Sequence, residues 1–183
     1  MDPSRPLKDI SYVSTEESAL LLGSFQGQAV FYPNTPIGQL FHEQVRKTPD
    51  QIALVYDDRM LSYQELDLRS NRFSHYLQSA GVVRGDRIGL MMDRSERMLI
   101  VILGILKCGA CYVPIDPDYP DTRKRFMMED SALRLLVVDP GTAKNDIPGQ
   151  LPYHGCETGN YSDAPTNSGA TSTELSYIIY TSG

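Results

Sequence analysis

The chain has 183 residues, 41% of them apolar and 22% charged, enough for one ordinary globular domain with a sizeable core, which excludes collagen-like, disordered and small disulfide-stapled classes. Seventeen Lys and Arg against 23 Asp and Glu leave a formal charge of −6 with no local basic patch, so a nucleic-acid binder is disfavoured. Three Cys cannot complete a disulfide framework and suit a reducing compartment. The opening Met1-Asp2-Pro3-Ser4-Arg5-Pro6 has neither the charged nor the apolar region of a secretory signal. The longest apolar run, Met98 to Leu106, is far shorter than the roughly 20 residues that cross a bilayer. The expectation is a cytoplasmic chain with no membrane segment.

Ser14 followed by Glu17 makes a capping box, which predicts a short helix through Leu20-Leu21-Leu22 to Gly23. Thr35-Pro36 reads as a cap and first helical position, with Ile37, Leu40, Phe41 and Val45 at helical spacing up to Thr48-Pro49. Ile52 to Tyr56 and Met60-Leu61 flank Asp57-Asp58-Arg59 and read as a hairpin. Ser62 and Glu65 form a second capping box, and Leu66, Phe73, Leu77 and Ala80 carry an apolar stripe to Gly81.

A regular alternation follows: strand Arg87 to Met92, helix Ser95 to Cys108, strand Ala110 to Ile115, helix Pro120 to Ser131, strand Leu133 to Val138. Leu135-Leu136-Val137-Val138 is apolar throughout, the pattern of a parallel sheet covered by helices on both faces. The helix around Met98 to Leu106 is apolar almost all round and is expected to lie deep. Residues 140–173 hold five Gly and four Pro, so a long mobile excursion with at most one short strand is expected there. Leu175 to Tyr180 reads as a buried strand that delivers Thr181, Ser182 and Gly183 into a loop. The fold class is α/β, with βαβ layers and a mainly parallel sheet.

Several residue groups invite chemistry. A strand end opening into hydroxyls and Gly can cup an anion with backbone N–H groups, although Thr-Ser-Gly can equally be an ordinary turn. Cys108 and Cys111 are spaced as a C-x-x-C, but they close a helix and open a strand, and only His154 and Cys156 could complete a metal set, so two small buried residues are preferred. Asp57-Asp58, Asp116 with Asp118, and Glu129-Asp130 lie at turns or helix ends and read as solvated. His42, His75 and His154 have no nucleophile signature beside them. No G-x-G-x-x-G or G-x-x-x-x-G-K-[ST] occurs, which disfavours a dinucleotide domain or a P-loop NTPase. No residue is assigned as catalytic or as a metal ligand.

Taken in order, three stretches resemble the first three core motifs of the adenylate-forming superfamily: Leu61-Ser62-Tyr63-Gln64-Glu65-Leu66, then Leu106 to Pro117 with its Tyr112-Val113-Pro114-Ile115-Asp116-Pro117 ending, then Leu175 to Gly183. The middle motif makes the chain most similar to an adenylation domain of a nonribosomal peptide synthetase. Phe41 to Val45, Arg69-Ser70-Asn71-Arg72 and Met127 to Ser131 add to the likeness, and Cys108 and Cys111 stand where that family usually has small residues. Tyr12 to Gln26 resembles the linker after a condensation domain, which implies a linker-like segment 1–34 and a partial adenylation domain 35–183.

The resemblance implies ATP and magnesium as cofactors, an amino acid as substrate and a carrier-protein domain as partner, with no nucleic acid and no membrane. Thr181, Ser182 and Gly183 would belong to the loop that holds the ATP phosphates. The family's loop continues to a Lys, and its other site residues come later, so the 183-residue polypeptide is expected to be inactive by itself. Two alternatives stand beside this one: an interaction module docking on a complementary C-terminal fragment, and an independent ligand-binding α/β domain.

Overall fold

Ser14 and Ser62 both start helices. The computed structural model describes residues 12–28, 30–139 and 149–181, and the chain divides into two units, Met1–Pro33 and Asn34–Gly183. In the first, the Ser14 hydroxyl accepts from the Glu17 N–H while the Glu17 carboxylate accepts from the Ser14 N–H, both at 3.1 Å. Helix α1 (Thr15–Ala19) then widens into a π-helical turn, Leu20–Ser24. No described residue of this unit is buried, and Leu20, Leu21, Leu22 and Phe25 are exposed.

The second unit opens with α2 (Ile37–Lys47). Pro36 caps it in an extended conformation and its carbonyl accepts from the Gln39 and Leu40 N–H groups, so the helix begins one residue later than the Thr35-Pro36 pair predicts. Ile37 lies off the covered stripe, exposed, whereas Val45 is buried. Strands β1 (Ile52–Tyr56) and β2 (Arg59–Ser62) form the antiparallel hairpin through Asp57, whose φ of +50° a short polar residue tolerates. Ser62 then caps α3 (Tyr63–Ser79) with the reciprocal Glu65 bond.

The sheet is built from β3 (Arg87–Met91), β4 (Cys111–Pro114), β5 (Leu135–Val138) and β6 (Gln150–Pro152), all parallel, in the order β4-β3-β5-β6. Alternation along the strands separates two cores. Ile88, Leu90, Leu135 and Val137 pack with Phe73 and Leu77 of α3 and with Ile100, Val101 and Ile105 of α4 (Glu96–Lys107). Met91, Leu136 and Val138 pack with Met127 of α5 (Asp121–Asp130). The succession of strands and helices and the α/β class are those the sequence predicts. Helix α4 is not covered all round, since Leu99 is 40% exposed. Its close side is set by Gly104, where a Cβ would stand 2.7 Å from Phe73 Cδ1 and 3.1 Å from the Ser70 carbonyl oxygen.

Residues 140–148 lie outside the described residues. Beyond them come β6 and a short helix, α6 (Gly155–Thr158), which composition gave no sign of. Leu175 to Tyr180 is extended but does not form the predicted strand: it makes one isolated parallel bridge, Tyr112 with Tyr177. The Tyr112 N–H donates to the Ser176 carbonyl at 3.1 Å, and the Ile178 N–H donates to the Tyr112 carbonyl at 3.0 Å. Residues 111, 113 and 115 face β3, so the next donor on the outer edge of β4 falls at Pro114, which has no N–H. The ladder stops there for a covalent reason.

Candidate functional site

Thr181 is described and exposed; Ser182 and Gly183, the other two predicted phosphate-loop residues, lie outside the described residues. The structure therefore informs the candidate site mainly through the segment that leads into it. That segment is tied down at successive points. The Asn71 amide donates to the Asp163 carbonyl at 2.8 Å, and Arg72 pairs with the Asp163 carboxylate at 3.1 Å. His75 Nε2 lies 3.1 Å from the Ala164 carbonyl, and the Ser74 and Thr166 hydroxyls are 2.9 Å apart. Gly109, at φ +73°, lets residues 168–170 pass, because a Cβ there would meet Ser168 Cβ at 3.0 Å. Arg84 pairs with Glu174, a contact that lowers the Glu174 pKa and raises that of Arg84. The Tyr180 hydroxyl donates to Asp130 Oδ2 at 2.6 Å.

Behind these contacts is a buried polar cluster that the motif reading did not find. The Lys107 ammonium, its side chain only 6% exposed, reaches Asp67 Oδ1 at 2.8 Å, the Asp67 carbonyl at 3.1 Å, and Ser70 Oγ and Asn71 Oδ1 at 2.7 Å each. It also stands 5.4 Å from the Phe41 ring centroid, and His42 Nδ1 approaches Asp67 Oδ2 at 3.7 Å. Burial pulls the Lys107 pKa down while Asp67 pulls it back up. A cavity of about 240 Å³ borders the cluster between α2 and residues 165–170. All of the ammonium's protons point into protein acceptors, so the group fastens α3 to the last turn of α4. The sequence does carry a signal for it: Asp67, Ser70, Asn71 and Ser74 recur at helical spacing beside the apolar stripe.

Cys108 and Cys111 are buried and free, as is Cys156. The Cys108 thiol lies 3.1 Å from the Ser74 hydroxyl and donates to the Ser74 carbonyl, and burial pushes its pKa up to about 11; that of Cys156 is pushed up to about 12. Such thiols are poor nucleophiles at neutral pH. Among the described residues no group of three or more His, Cys, Asp or Glu is placed to hold a metal ion. Asp57 and Asp58 form the hairpin turn, and the Asp116 carboxylate accepts from the Asp118 N–H in a tight turn. Asp130 is exposed as predicted, yet it is also the acceptor for Tyr180. No helix among the described residues is long and apolar enough to cross a membrane.

Known proteins resemble this chain along nearly its whole length. It is 39% identical over 181 residues to bacitracin synthase 3 of Bacillus licheniformis, a match covering 97% of this chain and 3% of the synthase. Its fold superposes on the crystal structure of the nonribosomal peptide synthetase FmoA3 with a TM-score of 0.80 at 27% identity, covering 93% of this chain and 18% of that one. The Klebsiella oxytoca NpsA N-terminal subdomain shares the fold with a TM-score of 0.73 at 22% identity, over 83% of this chain and 40% of that one. The chain thus spans a small part of the synthetases it matches. Residues 41–183 match the AMP-binding enzyme family, with the capped α3, the Leu106 to Pro117 stretch and the terminal segment all inside the matched region, and the chain belongs to that family.

Proposed function

We propose that this chain supplies the N-terminal part of an amino-acid-activating adenylation domain of nonribosomal peptide synthesis, residues 1–34 serving as a connector and 35–183 as the partial domain. The observation that carries the reading is the docking of the terminal segment on β4, which sets the middle and last of the three family motifs side by side. Thr181 lies at the end of an anchored segment, and the hydroxyl and N–H donors of the Thr181-Ser182-Gly183 sequence suit the phosphate oxygens of ATP. In the complete domain an amino-acid carboxylate oxygen attacks the α-phosphorus of ATP and pyrophosphate leaves. The aminoacyl-adenylate is passed to the thiol of a carrier-protein domain. Magnesium would neutralise charge on the phosphates. Three unpaired Cys fit a cytoplasmic setting.

Amino-acid-dependent ATP–pyrophosphate exchange tests this. The 183-residue chain alone is expected to give none, and the chain mixed with the remainder of an AMP-binding domain is expected to give exchange. Exchange by the chain alone overturns the reading. Tight binding of the remainder without exchange favours the second reading, a docking or regulatory module, which the exposed row Leu175, Tyr177 and Ile179 supports.

A further inference from the structure

Residues 163–174 cross the surface without joining either apolar core. Apart from Gly169, the stretch is polar except for Ala164, Pro165 and Ala170, so it has almost no apolar surface to bury. Two cavities lie beneath it against α2 and Leu106, of about 240 and 180 Å³, so even its covered side is loosely filled. A segment with so little apolar contact is held by its polar bonds alone, and such segments open independently of the global unfolding of the fold.

Those bonds have a definite arrangement. Each end carries an ion pair in contact with water: Asp163 with Arg72 at 3.1 Å, and Glu174 with Arg84. Near the middle, the Thr166 hydroxyl stands 2.9 Å from the Ser74 hydroxyl and donates to the Lys107 carbonyl at 3.2 Å. The Ser74 hydroxyl in turn lies 3.1 Å from the Cys108 sulfur. Thr166 thus sits across the junction of α3 with the last turn of α4, over a thiol whose residue is only 3% exposed. Ser168 continues the cover over Gly109.

We propose that residues 163–174 form an ionic latch, a strap that the Arg72–Asp163 and Arg84–Glu174 pairs hold closed over Cys108 and that opens as a unit while the two cores stay folded. Ionic strength is its control, because exposed ion pairs weaken with salt whereas buried apolar contacts do not. The latch needs no nucleotide and stands apart from the ATP reading. Cys108 reports its state, and Cys156, buried among the apolar core residues, reports whether the core has opened too.

Alkylation of the 183-residue chain by iodoacetamide at fixed pH, with each thiol followed by peptide mass spectrometry, tests this. In the wild type, raising NaCl from 0.05 to 1 M is expected to speed Cys108 labelling about fivefold. The double variant Arg84→Ala, Asp163→Asn removes both ion pairs and leaves the Thr166 bonds in place. It is expected to label Cys108 about tenfold faster than wild type at 0.05 M, and to change less than twofold on adding salt. Thr166→Val, which loses both hydroxyl contacts at nearly constant volume, is expected to label about tenfold faster while keeping the salt response. Cys156 labels within about twofold of wild type throughout. Unchanged Cys108 labelling in both variants overturns the strap as its cover. A wild type that ignores salt overturns the ionic control, and Cys156 accelerating in step with Cys108 overturns opening as a separate unit.

Discussion

Lys107 shows how one residue joins two helices. Its ammonium, reached by Asp67, Ser70 and Asn71, has lost nearly all contact with water, so removing it strands a buried carboxylate and two further polar groups. Lys107→Ala is therefore expected to cost about 3–5 kcal/mol, read as a lowered midpoint in urea denaturation. Ser62 acts more locally. Ser62→Ala removes the acceptor for the Glu65 N–H and is expected to cost about 1 kcal/mol. The other half of that capping box depends on pH. The Ser62 backbone N–H holds the Glu65 carboxyl below its ordinary 4.5, so its stabilisation is complete above that value and fades as pH falls toward the folded value. The stability difference between wild type and Glu65→Gln should accordingly shrink between about pH 6 and pH 3. The capping serines could be read from four-residue patterns because both partners are local. The role of Lys107 could not, because its partners are about forty positions away.

At the scale of elements, the contact between α3 and α4 is set by a missing side chain. Gly104 admits Phe73 and the Ser70 carbonyl so closely that Gly104→Ala must push the helices apart, and a loss of about 1–3 kcal/mol in thermal or urea unfolding is expected. The order of strands and helices was legible, since apolar runs bounded by Gly and capping residues are a local signal. The degree of cover was less so. Helix α4 reads as apolar all round, yet Leu99 faces out. The sequence shows that a face is apolar without showing what packs on it. The terminal segment makes the same point from the other side: its β-type composition predicts a strand, and one Pro on the neighbouring strand reduces it to a bridge.

For the whole molecule, the feature with most consequence is the surface left by the terminal segment. Leu175, Tyr177 and Ile179 alternate along it and are each more than half exposed, at 67%, 52% and 58%. Covering one such aliphatic side chain stabilises an association by about 1.5–3 kcal/mol. Ile179→Asp is thus expected to weaken self-association, or binding to the rest of an AMP-binding domain, by roughly ten- to a hundredfold in sedimentation velocity, with little change in the urea midpoint. By itself the sequence determined the two serine-capped helix starts, the parallel βαβ succession and the family, because caps, hydrophobic period and contiguous motifs are all properties of neighbouring residues. Only the tertiary structure decided that Lys107 is buried among α3 acceptors, that Tyr180 reaches Asp130, and that the path from Asp163 to Glu174 is pinned to α3 and Arg84. Those contacts join residues tens of positions apart, and their existence depends on where the sheet brings the chain back.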